Sequence, residues 1–389
     1  MAGDVLWIRL RQSWRGLSKE HRQRALGLSF IVIVALIWVL ASFLVQDLES
    51  EGLNPFLLTY IANSLFIIYL PLYYLAVRLK SHTRDTRSSE LREAHVPTQI
   101  MADTERTELI VDHTVDVSNS RNGWRRRLRW PEMLDKRVLA AAAVVAPIWF
   151  AAQYTFNVSL SETTVTSNTI LASTSSLFTY GLACILFLEV FLVSKLAFII
   201  LCMAGTALVT VADAWQAEGD KTSSVGGDLL VLLSGFCYAA YTIAIRQMLK
   251  EDDSLTMMLF FGFVGLLNAA CLAPVLILLR IGGFVQTAGL TLRILGLTVC
   301  KGLFDNVLSD YLWARAVLLI GPTVATVGLS MQVPFAVIMD AIFKHPAWLS
   351  SASSAALTFI GAALVLTGFF GINVTSAKAD EELPTSVQH

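Results

Sequence analysis

The chain has 389 residues, of which 55% are hydrophobic and only 15% charged, with a net charge of −1. A soluble domain carries about a quarter charged residues, and here the apolar residues fall in blocks of about 20, enough to cross a hydrocarbon core of roughly 30 Å. An ordinary soluble domain is excluded, and because charge is segregated by loop the balance names no acidic or basic partner.

The first 25 residues form a basic tail with six Lys/Arg. Trp7, Ile8, Leu10 and Trp14 lie among its arginines and suit either a membrane surface or a solvated tail. No small-residue cleavage site follows a short apolar core, so the first run is expected to stay as an anchor. Ten apolar runs follow in order: Leu26–Val45, Phe56–Val77, Val138–Val158, Val165–Leu188, Leu196–Ala212, Leu229–Met248, Leu255–Leu279, Ile294–Ala314, Val317–Phe343 and Ser353–Ile372. Hydrocarbon cannot satisfy backbone N–H and C=O groups, so each run is expected as a helix, giving an all-α polytopic membrane protein.

Lys and Arg orient these spans. Residues 78–136 hold twelve, whereas QDLESEGLN holds none and DAWQAEGDKTSSVGG holds one. Both termini and the long loop are therefore expected in the cytosol, although Arg280 and Arg293 fit that orientation less well. The loop is polar and is expected to be largely disordered. Its end, Trp124-Arg-Arg-Arg-Leu-Arg-Trp130, pairs indole and base beside the third run, which suits an anionic cytosolic leaflet better than nucleic acid.

In the third run, Trp149, Gln153 and Asn157 recur at helical spacing, with Tyr154 adjacent; Gln153, Tyr154 and Asn157 are candidate cavity-lining residues. Trp38, Ser42 and Gln46 repeat that spacing in the first run, and Tyr238 and Tyr241 mark the sixth. The fourth run contains SETTVTSNTILASTSSLFTY, in which twelve of twenty residues are Ser, Thr or Asn. Thr169, Ser173 and Ser176 share one face, and a helix this polar belongs in the bundle interior, as hydroxyl packing or as the wall of a pathway. The fifth and tenth runs lack charge and are rich in small residues, which suits packing or homodimerisation. All five cysteines lie in apolar runs without paired metal spacing and read as packing residues.

The eighth run, KGLFDNVLSDYLWARAV, is the most unusual. At about 100° per residue, Lys301, Asp305 and Ser309 share a face, with Asn306, Trp313 and Asp310 beside it. Lys301 and Asp305 are four apart and can pair. Each such charge costs about 2.5–3.5 kcal/mol at a helix centre, so this face is expected to meet water, ligand or polar side chains rather than lipid. A structural ion pair is the simpler alternative, with Asp310 answered by Arg315 or a loop base. Asp305 and Asp310 differ in direction by about 140° on an α-helix, which disfavours a carboxylate dyad and with it an intramembrane hydrolase.

A repeat is also visible. MAGTALVTV (203–211) resembles FIGAALVLT (359–367), with Gly205 matching Gly361; Ser330, Gln332 and Pro334 align with Leu171, Ser173 and Ser175. Residues 26–212 and 226–372 then read as two five-helix units, with 373–389 as a C-terminal tail. An odd number of spans per unit inverts the second copy, and polar or interrupted segments at matching places point to a midplane site. No P-loop, HExxH, GxSxG or CxxC pair occurs, so no enzyme, metal site or cofactor is expected.

KGLFDNVLSDYLWARAV followed by TVATVGLSMQVP, with SNTILASTSSLFTYGL and KLAFIILCMAGTALV, resembles the drug/metabolite transporter superfamily, and within it solute carrier family 35, subfamily F, of the plant and fungal vacuolar type with EamA-like repeats. The resemblance covers about 26–372. It implies two inverted five-helix halves around a central cavity, cytosolic termini and peripheral fifth and tenth spans, and it names no cargo. The expectation is a secondary transporter of a small polar metabolite, in the vacuolar membrane or another endomembrane. Lys301, Asp305, Asn306 and Ser309 would face Thr169, Ser173 and Ser176, with Asp310 and Gln332 as further pathway candidates. The alternative is a non-transporting scaffold that recruits partners through the basic loop; deleting 84–120 would disable a scaffold and spare a transporter.

Overall fold

The computed structural model describes residues 18–49, 54–80, 135–214, 224–249, 253–285, 291–343, 349 and 351–382. The Trp124–Trp130 cluster, most of the long loop and the first seventeen residues lie outside them. The described residues form helices and turns, without strands: α1 (Lys19–Glu49), α2 (Pro55–Lys80), α3 (Lys136–Glu162), α4 (165–185), α5 (Val193–Ala214), α6 (Val225–Leu249), α7 (Ser254–Ile281), α8 (292–320), α9 (322–343) and α10 (Ala352–Glu382). The protein is an all-helical polytopic membrane protein. Eight of these helices are long and apolar enough to cross a membrane. The other two correspond to the fourth and eighth expected spans: α4 is broken in two, and α8 carries Lys301, Asp305, Asp310 and Arg315.

Several boundaries differ from the sequence reading. The break between the eighth and ninth spans falls at Gly321, not at 315–316. Gly321 adopts φ +87°, which a side chain disfavours, and Pro322 starts the next helix where its missing N–H costs nothing. The last helix runs on to Glu382, so residues 373–382 are helix rather than tail.

Four helices are irregular in the middle. In α2, a 3₁₀ turn at Leu65–Ile68 precedes Pro71; in α9, a 3₁₀ turn at Leu329–Met331 precedes Pro334. Proline offers no N–H to the carbonyl four residues back, here Ile67 and Ser330, and the chain tightens there. The break in α4, between Val165–Ala172 and Ser175–Ile185, is hydroxyl-built: Ser173 Oγ donates to the Ile170 carbonyl and Thr174 Oγ1 to the Leu171 carbonyl, each at 2.6 Å. In α8, Gly302–Leu308 is a π-helical segment.

The packing recurs when helix numbers advance by five. The α3–α6 pair has its counterpart in α8–α1, α3–α7 in α8–α2, and α4–α6 in α9–α1; α2–α7, α4–α9 and α5–α10 pair with their own counterparts. The α5–α10 contact is the most extensive in the protein. A Cβ on Gly205 would meet the Gly361 carbonyl oxygen at 2.6 Å and the Val365 nitrogen at 2.8 Å; one on Gly361 would meet the Gly205 oxygen at 2.6 Å and the Val209 nitrogen at 3.0 Å. Gly368 lies against Cys202, and Ser354 Oγ donates to the Ala212 carbonyl. As one residue number rises the other falls, so α5 and α10 run antiparallel. Their small residues are used against each other within one chain. Glycines also start α1 and α6 alike: Gly27 lies against Ile320 at the end of α8, and Gly227 against Glu162 at the end of α3.

Three apolar clusters result among the described residues. The largest joins α1, α2, α3, α6, α7, α8 and α9, a smaller one centres on Tyr180, Ile199, Cys202, Val327 and Ile372, and a third on Phe56, Leu57 and Val285.

Candidate functional site

The π segment decides the geometry of α8. Its turn is wider, with i→i+5 bonding, so residues five apart approach the same side. Asp305 and Asp310 lie within electrostatic reach of each other, yet at different depths: the Asp305 side chain is 23% exposed and Asp310 is 3% exposed. Gly302 allows the segment to sit against α2, since a Cβ there would meet Leu65 Cδ1 at 2.5 Å.

Lys301 and Asp305 pair as expected, Nζ to Oδ2 at 3.7 Å. Their side chains are 18% and 23% exposed. Lys301 also lines a cleft of about 170 Å³ between α1 and α8, walled by Ile37, Leu40, Leu297 and Phe304. The pair therefore sits at the edge of the bundle rather than at its centre. Ser309 is fully buried, donates to the Asp305 carbonyl and accepts from Trp38 Nε1 at 2.9 Å, tying α8 to α1. Asn306 is buried one turn before Asp310.

Asp310 is the deep acid, 3% exposed, and its Oδ2 has no hydrogen-bond partner. Among the described residues it forms no ion pair. Arg315, one expected counter-ion, instead lies over the rings of Phe30 and Tyr311, at 5.2 and 5.8 Å. Around Asp310 gather aromatic side chains from three helices: Trp149 of α3, Tyr238 and Tyr241 of α6, and Trp313 of α8. The Trp149–Tyr241, Tyr238–Tyr241, Tyr238–Trp313 and Tyr241–Trp313 centroids lie 4.4 to 5.3 Å apart. Tyr238, Tyr241 and, from α2, Tyr69 are within electrostatic reach of Asp310. Trp149 Nε1 and Trp313 Nε1 also lack partners.

The other expected residues divide. Tyr154 stacks on Phe150 and meets the edge of Phe56, and Asn157 Nδ2 donates to Thr59 Oγ1 at 2.9 Å, so both face α2. Gln153 and Gln332 are half-buried. Ser173 and the half-buried Thr169 lie at and before the α4 break, and Ser176 is buried just after it. The α4 and α9 breaks fall close to the positions that the repeat aligns.

Polar contacts also close both ends of the bundle. At the end shared by the start of α1 and the end of α8, Glu189 accepts from Lys195 Nζ at 2.8 Å and from the Thr323 N–H of α9 at 3.2 Å. At the other end, Asp228 Oδ1 of α6 accepts from Thr163 Oγ1 and Ser167 Oγ, each at 2.6 Å. The Glu189–Thr323 contact and both Asp228 contacts join the first half of the chain to the second, while Lys195 holds Glu189 from within the first half.

Residues 225–367 match the model of the EamA-like transporter family. An uncharacterized transporter of Schizosaccharomyces pombe is 30% identical over 90% of this chain and 96% of its own. The chain belongs to the EamA-like transporter family. An uncharacterized vacuolar membrane protein of Saccharomyces cerevisiae is 30% identical over 92% of each chain. Solute carrier family 35 member F5 of Bos taurus is 26% identical over 90% of this chain and 77% of its own. A crystal structure at 14% identity superposes with a TM-score of 0.55, covering 90% of this chain and 98% of that one, which speaks to the fold alone. The resemblance read from the sequence holds, and this EamA-like protein is a membrane transporter rather than an enzyme.

The EamA match spans α6–α10, and Asp310 with three of the four aromatic residues lies inside it. The sequence reading noted Trp149, Tyr238 and Tyr241 separately and did not gather them around Asp310. The available signal was the spacing of Asp310 and Trp313, one turn apart, which places acid and indole on one side.

Proposed function

We propose that this protein is a secondary transporter of a small polar metabolite, working by alternating access of two inverted halves, α1–α5 and α6–α10, with ten spans in all. The observation that carries the reading is the contact pattern that recurs on advancing by five helices, with antiparallel counterparts crossing at Gly205 and Gly361. Two equivalent units packed in this way can rock about their shared crossings and expose a central site to each side in turn. The closures at Glu189–Lys195–Thr323 and at Asp228–Thr163–Ser167 are the natural gates, because each joins the two halves at one end. Broken helices at α4 and α9 supply the irregular backbone that such sites use. Asn306, Ser309 and Asp310 form the polar side of the pathway on α8, with the Lys301–Asp305 pair at its edge, and Thr169, Ser173, Ser176 and Gln332 line it from α4 and α9. The vacuolar membrane is the proposed location, supported by the yeast relative of that description.

The test is metabolite uptake into proteoliposomes, wild type beside Asp305→Asn. The variant is expected to purify as a folded protein and to lose flux. Wild-type flux in Asp305→Asn would remove this residue from the mechanism, and an inert wild type across a broad metabolite mixture would overturn the transport reading.

A further inference from the structure

We infer that Trp149, Tyr238, Tyr241, Trp313 and Asp310 form a binding site for an organic cation, the charged part of the solute that the proposed transport cycle carries. This deepens the transport reading and rests on it only for the word carried; the binding site stands on its own geometry. Three features select a cation. The faces of Trp and Tyr rings are electron-rich and attract a cation within about 6 Å, most strongly where water is excluded. Trp149, Tyr241 and Trp313 are at most 2% exposed. The carboxyl group of Asp310 is 3% exposed and lacks a partner for Oδ2, and such a buried group is costly to ionise until a counter-charge or hydrogen-bond donor meets it. The nearby charges do not supply one: Lys301 is taken by Asp305, and Arg315 lies over Phe30 and Tyr311. With Lys301 held by Asp305, a bound cation is the counter-charge that would favour the ionised form of Asp310.

An anion would meet that carboxylate, and a neutral polyol would need more hydrogen-bond groups than these rings carry. An alkylated or heteroaromatic ammonium suits both the ring faces and the acid. Trp149 comes from the first half and the other four residues from the second. The rings touch in the closed arrangement, so the cation enters as the halves part, and its binding is coupled to their movement.

The test uses the full-length protein in lipid nanodiscs and equilibrium binding of choline, tetraethylammonium and N-methylpyridinium, with 3,3-dimethylbutanol as the neutral isostere of choline. At least one cation is expected to bind, and choline to bind about tenfold or more tighter than its isostere. Asp310→Asn is expected to weaken cation binding about tenfold or more, Asp310→Glu to retain most of it, and Trp313→Phe to weaken it several-fold. No cation binding, equal binding of choline and its isostere, or unchanged binding in Asp310→Asn would each overturn the inference. Where Asp310→Asn does not fold, the isostere comparison on wild type decides. Flux separates the two readings. Asp310-dependent binding without flux of any solute keeps the site and removes transport; flux of other solutes without cation binding does the reverse.

Discussion

Gly205→Ala tests the reciprocal crossing of α5 and α10, and two effects of opposite sign meet there. Replacing glycine by alanine inside a helix gains about 1 kcal/mol in backbone terms. Against this, the new Cβ would stand 2.6 Å from the Gly361 oxygen, 2.8 Å from the Val365 nitrogen and 2.9 Å from Val365 Cγ2, where ordinary contact begins near 3.4 Å. Two of those atoms are backbone and cannot rotate away, so the helices must part by roughly 0.8 Å. A gap of that size forfeits about a quarter to a half of each local dispersion contact, and overpacking costs about 1–3 kcal/mol. With three contacts below 3.0 Å, two of them to backbone, the cost falls toward the upper end of that range, and overpacking wins by up to about 2 kcal/mol. Gly361→Ala should lose a similar amount, and the double variant less than the sum, because the first separation already admits the second methyl. Gly181 is the control: nothing lies within 4 Å of its added Cβ, so Gly181→Ala should be neutral or more stable by up to about 1 kcal/mol. The assay is reversible unfolding of the purified protein in mild detergent. A Gly205→Ala protein as stable as wild type, or simple additivity in the pair, would refute the reasoning.

The two closures make further predictions. Glu189→Gln leaves Lys195 buried without its counter-charge and weakens the bond to the Thr323 N–H; a buried pair broken in this way costs about 3–5 kcal/mol. Amide hydrogen exchange in the first turn of α9 should accelerate while α6 is unaffected, and unchanged exchange at Thr323 would deny Glu189 its role. Asp228→Ala removes the acceptor of two hydroxyls, each bond to a charged group being worth about 1.5–3 kcal/mol. Here exchange should rise at the start of α6 and of α4, with the Glu189 end unchanged.

What could be read in the sequence was what hydrophobic length and small-residue pattern dictate. Blocks of about 20 apolar residues gave the all-helical membrane class, and Gly205 matched Gly361 because both lie at one crossing. The polar face of α8 was also visible, since Lys301 and Asp305 pair by simple spacing. The depth of each residue was not. Periodicity at 100° per residue assumes an unbroken α-helix, and the π segment at Gly302–Leu308 removes that assumption where Asp305 and Asp310 must be placed. Asp305 therefore seemed central, yet Asp310 is the acid in the core. The aromatic cluster was hidden for a different reason: its members come from α3, α6 and α8, and only tertiary packing brings residues 149, 241 and 313 together. The turn between α8 and α9 was misplaced because Arg315 interrupts the apolar run and reads as a span end, while the conformational signal, Gly321 before Pro322, lies further on.

The π segment has a thermodynamic consequence for the proposed cycle. Two halves of identical structure, related by inversion, would give inward-open and outward-open forms of equal free energy, each filled half the time at rest. Every departure from equivalence splits that degeneracy. The wide turn of α8, with the three charges that accompany it, has no counterpart in α3, which is a regular helix containing Pro147. A split of only 1.4 kcal/mol sets the resting populations at about ten to one. In the proposed cycle, the side on which the unloaded transporter waits would depend on this irregular stretch together with the other differences between the halves.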